Sequence, residues 1–279
     1  MPNMMTVETL REELSKSDNI VILDVRFDLQ DEQAGRRAYE RDHIPGAYYI
    51  DLKKDLASPA QVHGGENPLP NPDQLAEKLG KLGIDEKTKV LIYDEDNKIF
   101  AARAWWTLYY IGLEHLYILD GGYKRWKDKG FEVTGKIPTA KKKDLKAKVR
   151  ENLFVTIEEV KDKLQDGETI LIDSRAPSRY RGDEEPLYKK AGHIPGAINY
   201  HYINVYKEDG TFKDKKQLEE VFSSLPKDKE LIISCGSGVS ACSNVIGLKL
   251  AGFKKVKLYP GSFSDWISYE ENEVVKSLE

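Results

Sequence analysis

Short, purely apolar runs alternate along this chain with longer stretches in which apolar residues recur every three or four positions. Ile20-Val21-Ile22-Leu23, Val90-Leu91-Ile92-Tyr93 and Tyr117-Ile118-Leu119 are runs of the first kind. They are too short for helices and predict buried strands. Among the longer stretches, Thr6 stands ahead of Val7, Leu10 and Leu14, which predicts a capped helix with one apolar face. Residues 75–82 and 100–112 predict two more helices. The pattern returns beyond residue 150: a helix from Thr156 to near Leu164, a strand over 170–172, a helix over 217–223, a strand over 231–234 and a helix over 239–250. Strands that are apolar throughout and separated by helices imply an α/β fold, a parallel sheet with helices on both faces.

Residue identities repeat along with the pattern. His43-Ile44-Pro45-Gly46-Ala47 returns as His193-Ile194-Pro195-Gly196-Ala197, and Leu23-Asp24-Val25-Arg26 as Ile172-Asp173-Ser174-Arg175. Gly121-Gly122-Tyr123-Lys124-Arg125-Trp126 matches Gly261-Ser262-Phe263-Ser264-Asp265-Trp266, and Ile111-Gly112-Leu113 matches Ala251-Gly252-Phe253. A period this long describes whole domains in tandem, not the units of a solenoid. The 279 residues agree with two domains at roughly 150 residues each. The expected limits are 1–135 for the first domain, 136–152 for a linker and 153–279 for the second. The linker region is basic, with seven Lys or Arg over 136–150 against Asp144 alone, and reads as a solvated connection with a short edge strand at Leu145, Ala147 and Val149.

Charge and cysteine content narrow the function. Lys plus Arg number 43 against 47 Asp plus Glu, a net charge of −4, which argues against a nucleic-acid groove or an anionic-membrane patch. Two cysteines, Cys235 and Cys242, are too few for a disulfide framework and suit a reducing compartment. There is no basic segment followed by an apolar one at the N-terminus, and Arg103 interrupts the most apolar stretch. A soluble, cytoplasmic protein is expected.

The candidate chemistry gathers in one loop. The strand ending at Ser234 delivers Cys235 to the carboxyl edge of a parallel sheet, where ligands bind in open α/β folds. Gly236-Ser237-Gly238-Val239-Ser240 follows, and a helix starts near Ala241. The glycines let the backbone curl so that successive N–H groups converge, and the helix adds its positive end. A thiol in that position is expected to favour its thiolate form and act as a nucleophile.

The duplicated layout, both His-Ile-Pro-Gly-Ala boxes, the loop Cys235 to Ala241 and the closing Tyr259-Pro260-Gly261-Ser262-Phe263-Ser264-Asp265-Trp266 resemble the tandem-domain rhodaneses, the thiosulfate and 3-mercaptopyruvate sulfurtransferases. The resemblance spans essentially the whole chain and implies two rhodanese-like domains, the first non-catalytic and the second catalytic. It implies that Cys235 carries a persulfide, taking sulfur from a small anionic donor and passing it to a thiol, a thioredoxin-like protein or cyanide, with no cofactor. It also carries over a donor-binding arginine onto Arg179, while Arg175 is expected to be structural, pairing near Asp173, because Arg26 holds the same place in the first half. Many mercaptopyruvate enzymes of the family have a second arginine farther along. The equivalent stretch here, residues 182–188, offers Tyr188 among three acids, so Tyr188 is a further candidate for substrate binding. Thiosulfate-preferring relatives carry basic residues directly after the cysteine, at positions held here by Gly236 and Ser237. The expected donor is therefore 3-mercaptopyruvate, the alternative a thiosulfate:cyanide activity.

In the first half, the matching strand ends in Asp94-Glu95-Asp96-Asn97 with no cysteine. Carboxylates at the mouth of such a loop would repel an anionic donor, so this half is expected to be silent. His43 and His193 are expected as turn elements, Trp126 and Trp266 as core plugs, and Cys242 as a packed helix thiol. Two readings compete from other classes. A Cys-loop phosphatase would need an arginine six residues after the cysteine, where Ala241 stands, and a non-catalytic binding module would not need Cys235. Neither Cys-x-x-Cys nor His-Glu-x-x-His spacing occurs, so no metal is expected.

Overall fold

The computed structural model describes residues 2–16, 20–96, 98–165 and 167–277; Asn97 of the acidic loop lies outside them. The chain divides into two compact units. The first comprises Met1–Ser58, Leu69–Arg150 and Lys207–Phe212, and the second Pro59–Pro68, Glu151–Tyr206 and Lys213–Glu279. The segment 59–68, from the first half of the sequence, thus belongs to the second unit.

The first unit runs β1 (Asn3–Met5), α1 (Val7–Lys16), β2 (Ile20–Asp24), α2 (Ala34–Arg41), β3 (Ala47–Tyr49), α3 (Pro72–Lys81), β4 (Lys89–Tyr93), α4 (Ile99–Tyr110), β5 (Leu116–Leu119) and α5 (Gly122–Asp128). Its sheet has the order β1-β5-β4-β2-β3, parallel throughout. The Thr6 hydroxyl accepts the Thr9 N–H at 3.1 Å and caps α1 as the sequence predicts. Asn71 caps α3 through the Asp73 and Gln74 amides, with Pro72 at the first helical position, where its missing N–H costs nothing.

The second unit runs α6 (Ile157–Lys163), β6 (Thr169–Asp173), α7 (Pro177–Arg181), β7 (Ile198–Asn199), α8 (Lys215–Val221), β8 (Glu230–Ser234), α9 (Ala241–Leu250), β9 (Val256–Leu258) and α10 (Ser262–Trp266). Its sheet order is β7-β6-β8-β9, again parallel. A single parallel bridge, Phe154 to Leu258, stands where the first unit has β1 against β5. Thr156 and Glu159 form a capping box at the start of α6.

The repeat therefore extends to the register. Asp24 lies opposite Tyr93 in the first sheet and Asp173 opposite Ser234 in the second. The next residues, Asp94 and Cys235, hold equivalent positions at the carboxyl ends of the central strands. Each sheet covers its own apolar cluster, with Trp126 in one and Trp266 in the other. Both indoles donate to a backbone carbonyl, of Glu132 and Glu273 respectively, at 2.8 Å.

The basic stretch after residue 135 differs from the expected edge strand. Lys143 N–H donates to Gly80 O, Lys148 N–H to Ile111 O and Arg150 N–H to Tyr110 O. These acceptors lie at the C-terminal ends of α3 and α4, where carbonyls lack intrahelical partners and positive charge is favourable. The stretch lies along helix ends, and Lys143, Lys148 and Arg150 pair with Asp85, Glu86 and Glu114.

Candidate active site

The site is built within the second unit. Central strand β8 ends at Ser234, and Cys235 follows, 2% exposed. Its Sγ accepts the Gly238 N–H at 3.2 Å. Its own N–H donates to Ser262 Oγ at 3.1 Å, and its carbonyl accepts the Phe263 N–H at 3.0 Å. The Ser264 N–H donates to Gly236 O at 2.8 Å, so the segment leading into α10 holds the loop from below. Gly238 has φ +74°, and a Cβ there would lie 2.1 Å from Pro260 O, so this position admits only glycine.

The loop amides supply an electropositive floor. Among the described residues, the N–H groups of Gly236, Ser237, Val239, Ser240 and Ala241 have no protein acceptor. They lie where the chain enters α9, whose first turn adds its positive end. The Cys242 thiol is fully buried on α9 and donates to Gly238 O at 3.5 Å, the packed thiol expected from its position.

Ser262 is a site residue that the sequence pattern did not single out. Its φ of +54° makes it the one non-glycine residue with positive φ among the described residues. The repeat pairs it with Gly122, whose φ is +63°. A serine in a slot that suits glycine is strained, and such strain concentrates at functional positions. The Ser262 hydroxyl holds the Cys235 amide, lies 4.0 Å from Sγ and donates to Tyr259 O at 2.8 Å. Comparing the two repeats residue by residue would have flagged it.

Tyr188 closes over the loop. A Cβ built on Gly236 would lie 2.9 Å from the Tyr188 hydroxyl. That hydroxyl donates to Glu66 Oε2 at 3.1 Å, and the ring meets Phe263 edge-on. Burial, and then the negative charge of Glu66 and Cys235, push the phenol well above its usual range, so it stays a neutral donor. Arg179 lies beside it, its guanidinium 5.5 Å from the Tyr188 ring centre. Arg179 Nε and Nη2 donate to the two oxygens of buried Glu185, at 3.1 and 2.7 Å. Glu185 also receives Arg175 Nη1 at 3.1 Å. Arg175 makes the expected fork onto Asp173 and lies over Phe263, as Arg26 does onto Asp24 and over Tyr123.

The segment 59–68 was also missed. Asn67 Nδ2 donates to Ser237 O at 3.3 Å, and the Glu66 N–H donates to Ser264 Oγ. The Gly64 N–H reaches Asp265 Oδ1 at 2.7 Å, and His63 stacks on Tyr269. Gly65 has φ +82°, and a Cβ there would lie 2.5 Å from Gly261 O, so the strap fits only as glycine. No periodicity marks this segment, and nothing local to it points to a loop 170 residues away.

Comparison with known proteins agrees with this geometry. The model of the rhodanese-like domain matches twice, over residues 6–129 and 156–269. The chain is a member of the rhodanese family. A probable 3-mercaptopyruvate sulfurtransferase of Pseudomonas aeruginosa is 38% identical over 270 residues, 95% of each chain. A putative thiosulfate sulfurtransferase of Mycobacterium tuberculosis is 36% identical over 274 residues, 95% of this chain and 94% of the relative. Among solved structures, the 3-mercaptopyruvate sulfotransferase SseA of Escherichia coli superposes with a TM-score of 0.83 at 28% identity, covering 95% of this chain and 100% of that one. No helix among the described residues is long and apolar enough to cross a membrane.

The remaining rhodanese motifs are structural. His43 Nδ1 lies 2.7 Å from Tyr39 O with its ring stacked on Tyr39, and His193 Nδ1 lies 2.8 Å from Tyr180 O with its ring on Tyr180. Both bridge antiparallel to a later segment, at Thr134 and Val275, which makes them turn elements in both repeats. In the first rhodanese repeat the acidic loop differs from expectation in its physics. Asp94 does not stand at the mouth of the loop as a repelling charge. It is 1% exposed, and its carboxylate accepts the N–H groups of Lys98, Phe100 and Ala101 at 3.2, 3.1 and 3.0 Å.

Proposed function

We propose that Cys235 carries sulfur as a persulfide between a small anionic donor, with 3-mercaptopyruvate preferred, and a thiol or cyanide acceptor. The protein is a sulfurtransferase of the rhodanese family. In the first half-reaction the Cys235 thiolate attacks the donor sulfur and the carbon–sulfur bond breaks. Its electron pair leaves as the enolate of pyruvate, which takes up a proton, while the sulfur remains on Cys235. In the second, the acceptor attacks the outer sulfur and Cys235 leaves as thiolate. A thiol becomes a persulfide and cyanide becomes thiocyanate.

The observation that carries this reading is the Gly238 N–H on Sγ, beside amides of the same loop that have no protein acceptor. Preorganised N–H donors aimed at the place where charge develops stabilise it without reorganisation. The donor preference rests on two features. Positions 236 and 237 offer amides and a hydroxyl but no basic side chain, and the Glu66 carboxylate on Tyr188 adds negative charge close by. Both disfavour a dianion such as thiosulfate relative to a monocarboxylate. Arg179, which pairs with Glu185 and lies beside Tyr188, is the cation assigned here to the donor carboxylate. Steady-state kinetics with both donors test the preference: kcat/KM is expected to be higher for 3-mercaptopyruvate, and a higher value for thiosulfate overturns it.

A further inference from the structure

Position 236 is kept free of a side chain by Tyr188 and not by the backbone. Gly236 is not among the glycines with positive φ, so its backbone does not require glycine. A Cβ built there would lie 2.9 Å from the Tyr188 hydroxyl oxygen and 3.3 Å from Cε2, and the three nearest atoms all belong to that phenol. Tyr188 is tied in place from several sides. Its hydroxyl donates to Glu66 Oε2 at 3.1 Å, and the Glu66 N–H donates to Ser264 Oγ at 3.2 Å. Its ring meets Phe263 edge-on, and the Phe263 N–H holds the Cys235 carbonyl at 3.0 Å. One residue earlier, the Leu187 N–H donates to Glu185 Oε1 at 3.1 Å, on the same buried carboxylate that receives Arg179. Glu185 thus fixes Arg179 and the segment leading to Tyr188 together. The Arg179 guanidinium meets the ring of Tyr188, 5.5 Å from its centre, while the hydroxyl end of that ring meets the Cys235 loop.

We propose that Tyr188 is a spacer that sets the class of sulfur donor: the anionic group must stand a carbon skeleton away from the sulfur that is transferred. In 3-mercaptopyruvate the charged oxygens are four bonds from that sulfur, far enough to pass the phenol and reach Arg179. In thiosulfate and in thiosulfonates the sulfonyl oxygens are two bonds away, which puts them over the loop, beside the Tyr188 hydroxyl and the Glu66 carboxylate that holds it. The position of the charge decides, and not its amount. A thiosulfonate carries one negative charge, as 3-mercaptopyruvate does with its thiol protonated, yet falls on the excluded side. Barring the wrong charge position is selection by exclusion. The proposal rests on the persulfide reading above and adds the residue that decides which donors fit it.

The test uses the full chain with Cys235 intact, cyanide as acceptor and three donors: 3-mercaptopyruvate, thiosulfate and sodium methanethiosulfonate. With the last, the Cys235 thiolate takes the outer sulfur, the sulfur–sulfur bond breaks and methanesulfinate leaves with the electron pair. The donors differ in intrinsic reactivity, so the readout is the change on substitution of each kcat/KM relative to that of 3-mercaptopyruvate. Tyr188→Ala is expected to raise both sulfonyl donors by about tenfold or more, and to similar extents. Tyr188→Phe keeps the ring and is expected to stay within about threefold of the wild-type ratios. Gly236→Arg collides with the phenol and is expected to gain nothing on thiosulfate alone, but about tenfold or more when combined with Tyr188→Ala. A comparable gain by Gly236→Arg alone overturns the proposal whether or not Tyr188→Ala folds. So do a gain in Tyr188→Ala confined to thiosulfate, which would make the amount of charge decisive, and a Tyr188→Phe variant as permissive as Tyr188→Ala. Failure of the wild type to form a persulfide on Cys235 with 3-mercaptopyruvate would refute the functional reading instead, whereas unchanged donor ratios with the persulfide formed would refute the spacer alone.

Discussion

Replacing Gly238 with alanine tests how closely the loop geometry governs the chemistry. The perturbation has two parts. A φ of +74° costs a non-glycine residue roughly 1–2 kcal/mol, and the new Cβ would lie 2.1 Å from Pro260 O, a backbone atom. That approach is far inside van der Waals contact, and Pro260 is fixed by neighbours that bond Cys235 and Gly236, so the loop itself must move. Displacement takes the residue-238 N–H off Sγ, where it now lies at 3.2 Å. A hydrogen bond to a charged group contributes about 1.5–3 kcal/mol, and at about 1.4 kcal/mol per decade that is roughly a 10- to 150-fold loss of kcat/KM. The assay is sulfur transfer from 3-mercaptopyruvate to cyanide, read as thiocyanate, beside the rate of alkylation of Cys235 by iodoacetamide. Both rates are expected to fall together, since both need the sulfur held by the same donor. Gly238→Ala with kcat/KM within about threefold of wild type would refute the argument that this amide stabilises the sulfur anion.

Five further outcomes are expected. Arg179→Ala should lower kcat/KM for anionic donors by roughly ten- to a hundredfold and also lower the melting temperature, because it takes two donors from the buried Glu185 carboxylate; unchanged kinetics remove Arg179 from the site. Glu66→Gln should raise kcat/KM for thiosulfate relative to 3-mercaptopyruvate, because it removes a negative charge beside Tyr188, and an unaltered ratio contradicts the electrostatic account of donor choice. Ser262→Ala keeps the strained backbone but strips the buried Cys235 N–H of its acceptor, so a loss of about 1–3 kcal/mol in unfolding free energy is expected by denaturant titration; Cys242→Ser should leave turnover near wild type. Asp85 is held down to about 2, first by the Thr88 hydroxyl and then, against its burial, by Lys143. Its folded value lies below the ordinary aspartate value of 3.8, so its stabilisation is complete above that pH and is lost as pH falls toward 2; acid titration of Asp85→Asn should show a shallower loss of stability over that interval.

The strands and long helices were legible because burial imposes a period on them. β2, β4, β5, β6 and β8 stand out as apolar runs, and α1, α3, α4, α6, α8 and α9 lie within or close to the predicted spans. The elements left unread lack that imprint. α2 buries only Gly35 and Tyr39, α7 buries nothing, and β7 is two residues long. Cys235 and its loop were readable because a glycine-rich turn between an apolar strand and a helix has few other uses. Arg179 and Tyr188 came from family resemblance, and the geometry supplies the partners that the sequence could not: Glu185 for the first, Glu66 for the second. The strap bearing Glu66 and Asn67 is a tertiary contact across 170 residues with no local signature. The missing cysteine of the first repeat was visible in the sequence, but the place of the acid that stands there was not. A carboxylate inside a nest and one at its mouth have the same sequence, and only the three hydrogen bonds to Asp94 separate them.

The central claim is that one sulfur atom travels on Cys235. The most direct measurement is mass spectrometry of the intact protein and its peptides after a brief excess of 3-mercaptopyruvate, and again after cyanide. One added sulfur is expected on the peptide containing Cys235, absent from Cys235→Ser, and transferred stoichiometrically to thiocyanate on adding cyanide. Sulfur found on Cys242 instead, or sustained turnover by Cys235→Ser, would contradict the account.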